Sequence, residues 1–355
     1  MTLKTLHFVN FGRVLCAALL FPVLFTACAE DTEEVIAPLQ EDAAPQQIIQ
    51  LAPAPDKWVT IRASEEAEME DLSKKRRATQ AGGPDRGRFN ITLKYIVPVT
   101  KEQEQVFSDA AGRWERIIIK DVPSITGTIP SAFEGFPPAV DGTVDDIVIE
   151  VALAPIDGAG GILGQAGPVF VRNSDNLPLS GVMFFDVADL AFLDELGLFE
   201  EVIVHEMGHV LGVGTLWDYG GRNLLRGEET NPYYAGKLGN LFWKIEGGRD
   251  RLPVEDMGGP GTALGHWRES VLRNELMTGF LNLGENPLSH ITAASMRDLG
   301  YGAIPLGERY DLERGTPGVD PNDDTTPPDV EDPTAGIDIA AREITLRPIG
   351  EVVIK

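Results

Sequence analysis

Cysteine is nearly absent from this sequence: of 355 residues only Cys16 and Cys28 carry a thiol, and both lie at the N-terminal end. No disulfide can therefore staple the main body of the chain, and no thiolate can hold a metal there. Basic residues are also scarce, with 30 Lys and Arg against 55 Asp and Glu and a formal charge of −25. Such a surface repels phosphate backbones, which excludes nucleic acid as a partner. Histidine is rarer still, five in all, so any imidazole chemistry must draw on His7, His205, His209, His266 or His290. Beyond the first 28 residues no apolar run is long enough to span a bilayer.

The N-terminal residues read as an export signal. Lys4 and Arg13 are followed by an apolar run from Val14 to Phe25 and then by "TACAE". Small Thr26 and Ala27 place Cys28 where a bacterial lipoprotein accepts its lipid, although Phe25 stands where leucine is usual. Ala27-Cys28-Ala29 also fits ordinary cleavage; lipidation of Cys28 is the preferred reading. On it, residues 1–28 are a signal peptide, the protein is exported to the cell envelope or secreted, and its membrane contact is an N-terminal lipid anchor.

Residues 29–88 are rich in Ala, Pro, Glu and Gln, which predicts a flexible tether or pro-segment. The "KKRR" run at Lys74–Arg77 offers a processing site or a merely solvated cluster. Ordered structure is expected from Phe89, where Phe89, Ile91, Leu93, Tyr95 and Val97 alternate as in a half-buried strand. Thr100 and Gln103 make a capping-box pattern ahead of Val106, Phe107, Ala110, Ala111, Trp114, Ile117 and Ile118 at helical spacing. "DDIVIEVALAPI" predicts a buried strand and "GPVFVR" and "GVMFFD" shorter ones, with the glycine-rich "DGAGGILGQAG" among them. Helices are expected near Val187–Leu196 and over Leu198–Leu211. Strands and helices without steady alternation indicate an α+β domain, residues 89–304. "GVDPNDDTTPPDVED" has six acids, three prolines and no base, so 305–355 reads as an acidic linker and short tail; its last residues alternate weakly, as one strand would.

Chemistry concentrates in "HEMGHVLGVGTLW", His205 to Trp217. His205 and His209 lie one helical turn apart and can reach one ion, while Glu206, about 100° further round, can reach a water without being a ligand. That division suits metal-assisted hydrolysis. The compact signature H-E-x-x-H-x-x-G-x-x-H would put a third histidine at 215, but Thr215 stands there. A third ligand must come from His266, from His290, or from a glutamate such as Glu228 or Glu229. His290 follows Pro287 and Ser289 at a helix start, a common place for a solvated or capping histidine.

The HExxHxxG start, a delayed ligand in "HW" at His266 and "ELMTG" eleven residues on at Met277 resemble leishmanolysin and its bacterial relatives. "LPVEDMGGPGT" and "LSHITAASMRDLGY" fit the same pattern, and the likeness runs from about Phe89 to Tyr301. The resemblance implies a metzincin-like zinc endopeptidase: a twisted mixed sheet, an active-site helix, and a smaller C-terminal subdomain closing the zinc cleft. It assigns one catalytic Zn2+ to His205, His209 and His266, the general base to Glu206, and the methionine beneath the metal to Met277. Protein or peptide substrates would pair with a sheet edge within 160–171. Leishmanolysin is disulfide-rich and held latent by a pro-segment cysteine; this chain lacks both resources, so any latency would need another device. A surface lipoprotein with a structural zinc and a binding role is the alternative, which an intact Glu206 disfavours.

Overall fold

The computed structural model describes residues 48–65, 87–259, 262–322 and 336–354. The signal segment, Cys28, the Lys74–Arg77 cluster and Pro260 lie outside the described residues. No described helix is long and apolar enough to cross a membrane.

The chain runs through β1 (Val59–Glu65), β2 (Ile91–Tyr95), α1 (Lys101–Ile117), β3 (Ile125–Ile129), β4 (Val140–Val144), β5 (Ile147–Ala154), β6 (Gly164–Arg172) and β7 (Pro178–Asp186). It continues through α2 (Val187–Glu195), α3 (Phe199–Leu211), β8 (Leu225–Arg226), β9 (Tyr233–Tyr234), α4 (Lys237–Glu246), α5 (Glu269–Leu272), β10 (Phe280–Leu281) and α6 (His290–Asp298). Three short strands end it: β11 (Ile337–Asp338), β12 (Glu343–Thr345) and β13 (Gly350–Ile354). The architecture is α+β, built on a nine-stranded mixed sheet ordered β2-β5-β7-β6-β13-β1-β3-β4, with β12 also paired to β6.

The strand β5 shows why the sheet is central. Ile147, Ile149 and Val151 join the core beneath the helices, while Val148, Ala152 and Ala154 join a second core on the other face. A strand buried on both faces reads as a near-continuous apolar run, which is what "IVIEVALA" is. The helical face is supplied by α1 and α3. The predicted capping box is present: Thr100 Oγ1 accepts from Gln103 N, and the Gln103 side chain accepts from Thr100 N. Arg113 of α1 then ties the two helices together, donating to Glu201 at 3.0 Å and to Glu308 at 2.9 Å.

Two boundaries differ from the sequence reading. The segment assigned to a tether contains β1, which pairs in parallel with β13 and antiparallel with β3. "VTIRASE" alternates as a strand does, with Ala63 buried, but the Pro- and Glu-rich residues around it set the local composition. The tail expected to hold one strand holds three, and two of them enter the main sheet. The edge of β6 is lined by this tail: Glu343–Thr345 pairs with Gly164–Ala166, and Gly350–Val352 pairs with Phe170–Arg172.

Candidate metal centre

The helix α3 lies across β6 and β7 and against α1. It is buried on all sides from Val202 to Leu211, so His205, Glu206 and His209 are interior residues and not a polar stripe. A sharp stop follows. Gly212 adopts φ 113°, a left-handed conformation that side chains resist, and its N–H and that of Val213 both return to the Gly208 carbonyl. Thr215, at the position where the compact signature would have histidine, donates its hydroxyl to the His209 carbonyl at 2.6 Å. It therefore closes the helix end.

The chain then leaves for some fifty residues and returns at a defined point. A Cβ on Gly214 would stand 2.0 Å from the Gly265 carbonyl oxygen, so the outgoing and returning strands touch backbone to backbone just before His266. The aromatic residues flanking each end of the excursion seal it: Trp217 and Trp267 stack with centroids 4.6 Å apart, and Tyr234 meets both edge-on.

This return brings the Nε2 atoms of His205, His209 and His266 within 2.9–3.1 Å of one another. Each ring uses its other nitrogen on a backbone carbonyl: His205 Nδ1 on Leu276 at 2.7 Å, His209 Nδ1 on Val213 at 3.0 Å, His266 Nδ1 on Thr262 at 3.0 Å. A carbonyl only accepts, so each Nδ1 carries the hydrogen and each Nε2 is left with a lone pair. Three lone pairs converging in a dry interior repel one another unless a cation lies between them. Tetrahedral zinc bound by nitrogen at about 2.0–2.1 Å separates its ligand atoms by roughly 3.3 Å, close to the spacing here. The donor set, three imidazoles and a carboxylate without thiolate, fits zinc.

That carboxylate is Glu343 of β12, a residue to which sequence reasoning assigned nothing. Its oxygens lie 2.8 Å from His266 Nε2, 3.4 Å from His205 Nε2 and 3.7 Å from His209 Nε2, and its side chain is fully buried. His205, His209, His266 and Glu343 together form a group able to hold a metal ion. Glu206 is buried beside them; among the described residues no backbone N–H or hydroxyl reaches its oxygens, and those of Glu343 face only imidazole nitrogens. Burial, and after it the Glu343 charge, pushes the Glu206 carboxyl well above its usual range. Burial drives His209 down to about 3, which keeps its ring neutral.

Met277 is buried under α3. A Cβ on Gly208 would meet its Sδ at 2.8 Å, so the missing side chain at 208 is what admits the thioether there. Its turn is pinned by Glu275, a second residue overlooked in the sequence although it lies in "ELMTG". Glu275 is fully buried; one oxygen accepts from Met277 N at 2.7 Å, and the other accepts from the hydroxyls of Ser289 and Thr292 at 2.6 and 2.5 Å.

The competing ligands are elsewhere. His290 lies at the start of α6, 3.0 Å from Glu246 and stacked on Phe242. Glu228 and Glu229 are exposed, and neither joins the metal-type group found among the described residues.

A family model described as leishmanolysin matches residues 249–307, the stretch containing His266 and Met277 but not His205–His209. A leishmanolysin homolog from Crithidia fasciculata is 25% identical over 228 residues, covering 60% of this chain and 33% of that protein. Leishmanolysin-like peptidases of Drosophila melanogaster and Drosophila pseudoobscura pseudoobscura are 46% identical over 59 residues, 16% of this chain and 8% of theirs. The chain thus spans a third or less of the length of these relatives.

Proposed function

We propose that this chain, which resembles leishmanolysin-like metallopeptidases, is a zinc-dependent endopeptidase of metzincin type that cuts protein or peptide chains. The observation that carries the proposal is the convergence of three Nε2 lone pairs beside a buried, unpartnered carboxyl at Glu206. His205, His209 and His266 are the zinc ligands in this reading, and Met277 is the apolar floor beneath them. When bound, zinc polarises the scissile carbonyl and brings the pKa of water from 15.7 toward about 7.

The chain's own residues do the rest. The three backbone carbonyls that receive the Nδ1 hydrogens fix ring orientation and tautomer, which keeps the Nε2 set aimed at one point. Glu206 accepts a proton from the attacking water and returns it to the leaving amine. Export, with lipid attached at Cys28, completes the proposal and rests on the sequence alone.

The test is digestion of an unfolded protein by the metal-loaded chain, run also on Glu343→Ala because Glu343 reaches the same centre. Cleavage should vanish with a chelator and fall about 10²–10⁴-fold in Glu206→Gln with zinc content unchanged. Zinc-loaded protein that cuts nothing in either background would point instead to a binding protein with a structural ion. For the anchor, labelled fatty acid should be incorporated by the chain and not by Cys28→Ser.

A further inference from the structure

The tail takes a path that a mere C-terminal extension has no reason to take. Ile339 and Ala340 are buried, and the N–H groups of both donate to the Gly279 carbonyl at 3.1 Å, two residues past Met277. Before them, β11 pairs antiparallel with β10. After them, Leu163 N donates to the Arg342 carbonyl at 2.6 Å, and β12 begins its pairing with β6. The tail therefore crosses from the strand behind the Met277 turn to the edge of β6, and Glu343 is the residue at the crossing.

Both sides of the crossing are fastened. Arg342 donates to Asp189 at 2.7 Å and to the Gly161 carbonyl. Arg347 donates to the Thr215 carbonyl at 2.8 Å and reaches Asp218. Between these clamps Leu346 N donates to the Ala166 carbonyl at 2.7 Å. The fit there is close: a Cβ on Gly167 would come within 2.3 Å of the Leu346 carbonyl oxygen.

We infer that residues 336–349 are a built-in plug, with Glu343 as a fourth protein ligand to the metal and β12 on the sheet edge that an extended substrate would use. The inference rests on the peptidase reading. A catalytic zinc has three protein ligands and one open position, whereas four protein ligands make a closed site. Glu343 closes it, and at the same place it faces Glu206, the group that would otherwise serve the attacking water. The tail pairs with the edge of β6 at Gly164–Ala166 and again at Phe170–Arg172, so an extended peptide finds that edge occupied. The main strand β13 is the fixed root of the plug, and Glu343 and its flanks are the part that must withdraw for turnover.

The experiment uses the full chain loaded with Co2+, whose visible spectrum reports the ligand set, titrated with a small hydroxamate. The parent should bind the hydroxamate at least 10-fold more weakly than Glu343→Ala, with the spectral change of an exogenous ligand appearing at low concentration only in the variant. Peptidase activity should rise at least 10-fold in Glu343→Ala. Arg342→Ala, which loosens the clamp without touching the metal ligands, should shift both readouts in the same direction by about 2–5-fold. It should also speed amide exchange within 340–347. Equal hydroxamate binding and equal cleavage in parent and both variants would overturn the plug and leave the peptidase reading standing. Loss of cobalt and of activity in Glu343→Ala, with no gain in Arg342→Ala, would make Glu343 a permanent structural ligand and also overturn it. Open hydroxamate binding in Glu343→Ala without cleavage of any peptide would leave the plug in place and sink the peptidase.

Discussion

Two buried carboxylate regions, Glu275 at the Met277 turn and Glu206 with Glu343 at the histidines, are finished in opposite ways. Glu275 is surrounded by donors: Met277 N, Ser289 N, Ser289 Oγ and Thr292 Oγ1 all reach it. Burial raises its pKa, and those hydrogen bonds work against the rise. Glu206 and Glu343 are also buried, yet among the described residues no backbone N–H or hydroxyl reaches their four oxygens, and Glu343 faces only imidazole nitrogens. A buried acceptor without a donor costs about 1–3 kcal/mol, more if charged. The Glu275 region is complete as a piece of protein architecture. The histidine centre is complete only when something positive joins it, and that asymmetry separates a structural carboxylate from a chemical one.

The contrast has measurable consequences. Metal withdrawal should act on the histidine centre alone. With zinc at about 1,000 times its Kd, the folded state should gain about 4 kcal/mol over the chelated protein, read from urea unfolding with and without metal. A stability independent of metal would mean that the unpartnered oxygens find other relief. Next in size, Glu275→Ala should cost about 3 kcal/mol, because it strands the Met277 and Ser289 N–H groups and leaves a void. The loss should be the same in metal-loaded and chelated protein; a loss confined to the loaded form would place Glu275 in the metal's own network.

Asp146 is an intermediate case. Each of its oxygens accepts one backbone N–H, from Val122 at 2.6 Å and Asn90 at 2.8 Å, yet burial and then neighbouring Asp145 still carry its pKa from 3.8 up to about 8. Its folded pKa lies above the unfolded one, so the unfolded chain releases this proton first. Stability should therefore fall as pH rises from about 4 to about 8, by up to about 5 kcal/mol from this group. Denaturation midpoints across that window should show the slope in the parent and lose it in Asp146→Asn. The smallest effect is expected at Glu229, an exposed side chain. Glu229→Ala should change stability by no more than about 0.5 kcal/mol and leave zinc affinity alone, whereas His266→Ala should weaken it more than about 100-fold. Metal retention in the His266 variant would undo the ligand set.

Local chemistry was the legible part of this sequence. The Thr100–Gln103 capping box, the continuous apolar run of β5 and the His205–Glu206–His209 turn each carry their meaning within a few neighbouring residues. What could not be read was set by distance along the chain. Glu343 lies in "AREIT", where nothing local distinguishes it from a solvated glutamate; only the pairing of β12 with β6 turns it inward. Glu275 was nearer to sight, two residues before a methionine already singled out, but its partners Ser289 and Thr292 lie on another element. The strand β1 was lost to averaging: its own alternation is clear, but the Pro- and Glu-rich sequence beside it sets the local composition.

The position of β13 bears on how this protein is made. Val59 faces Gly350 across one pair of strands, and β13 separates β6 from β1. The main sheet is therefore two sheets until residues 350–354 exist, each with an unfinished edge that invites association with another chain. Contacts so distant in sequence form slowly, since a loop of nearly the whole chain must close before they contribute. The three histidines and the Leu276 carbonyl that orients His205 all lie before residue 277 and can assemble earlier. Glu343 and β13, both far along the chain from the histidines, then complete the cleft and the sheet.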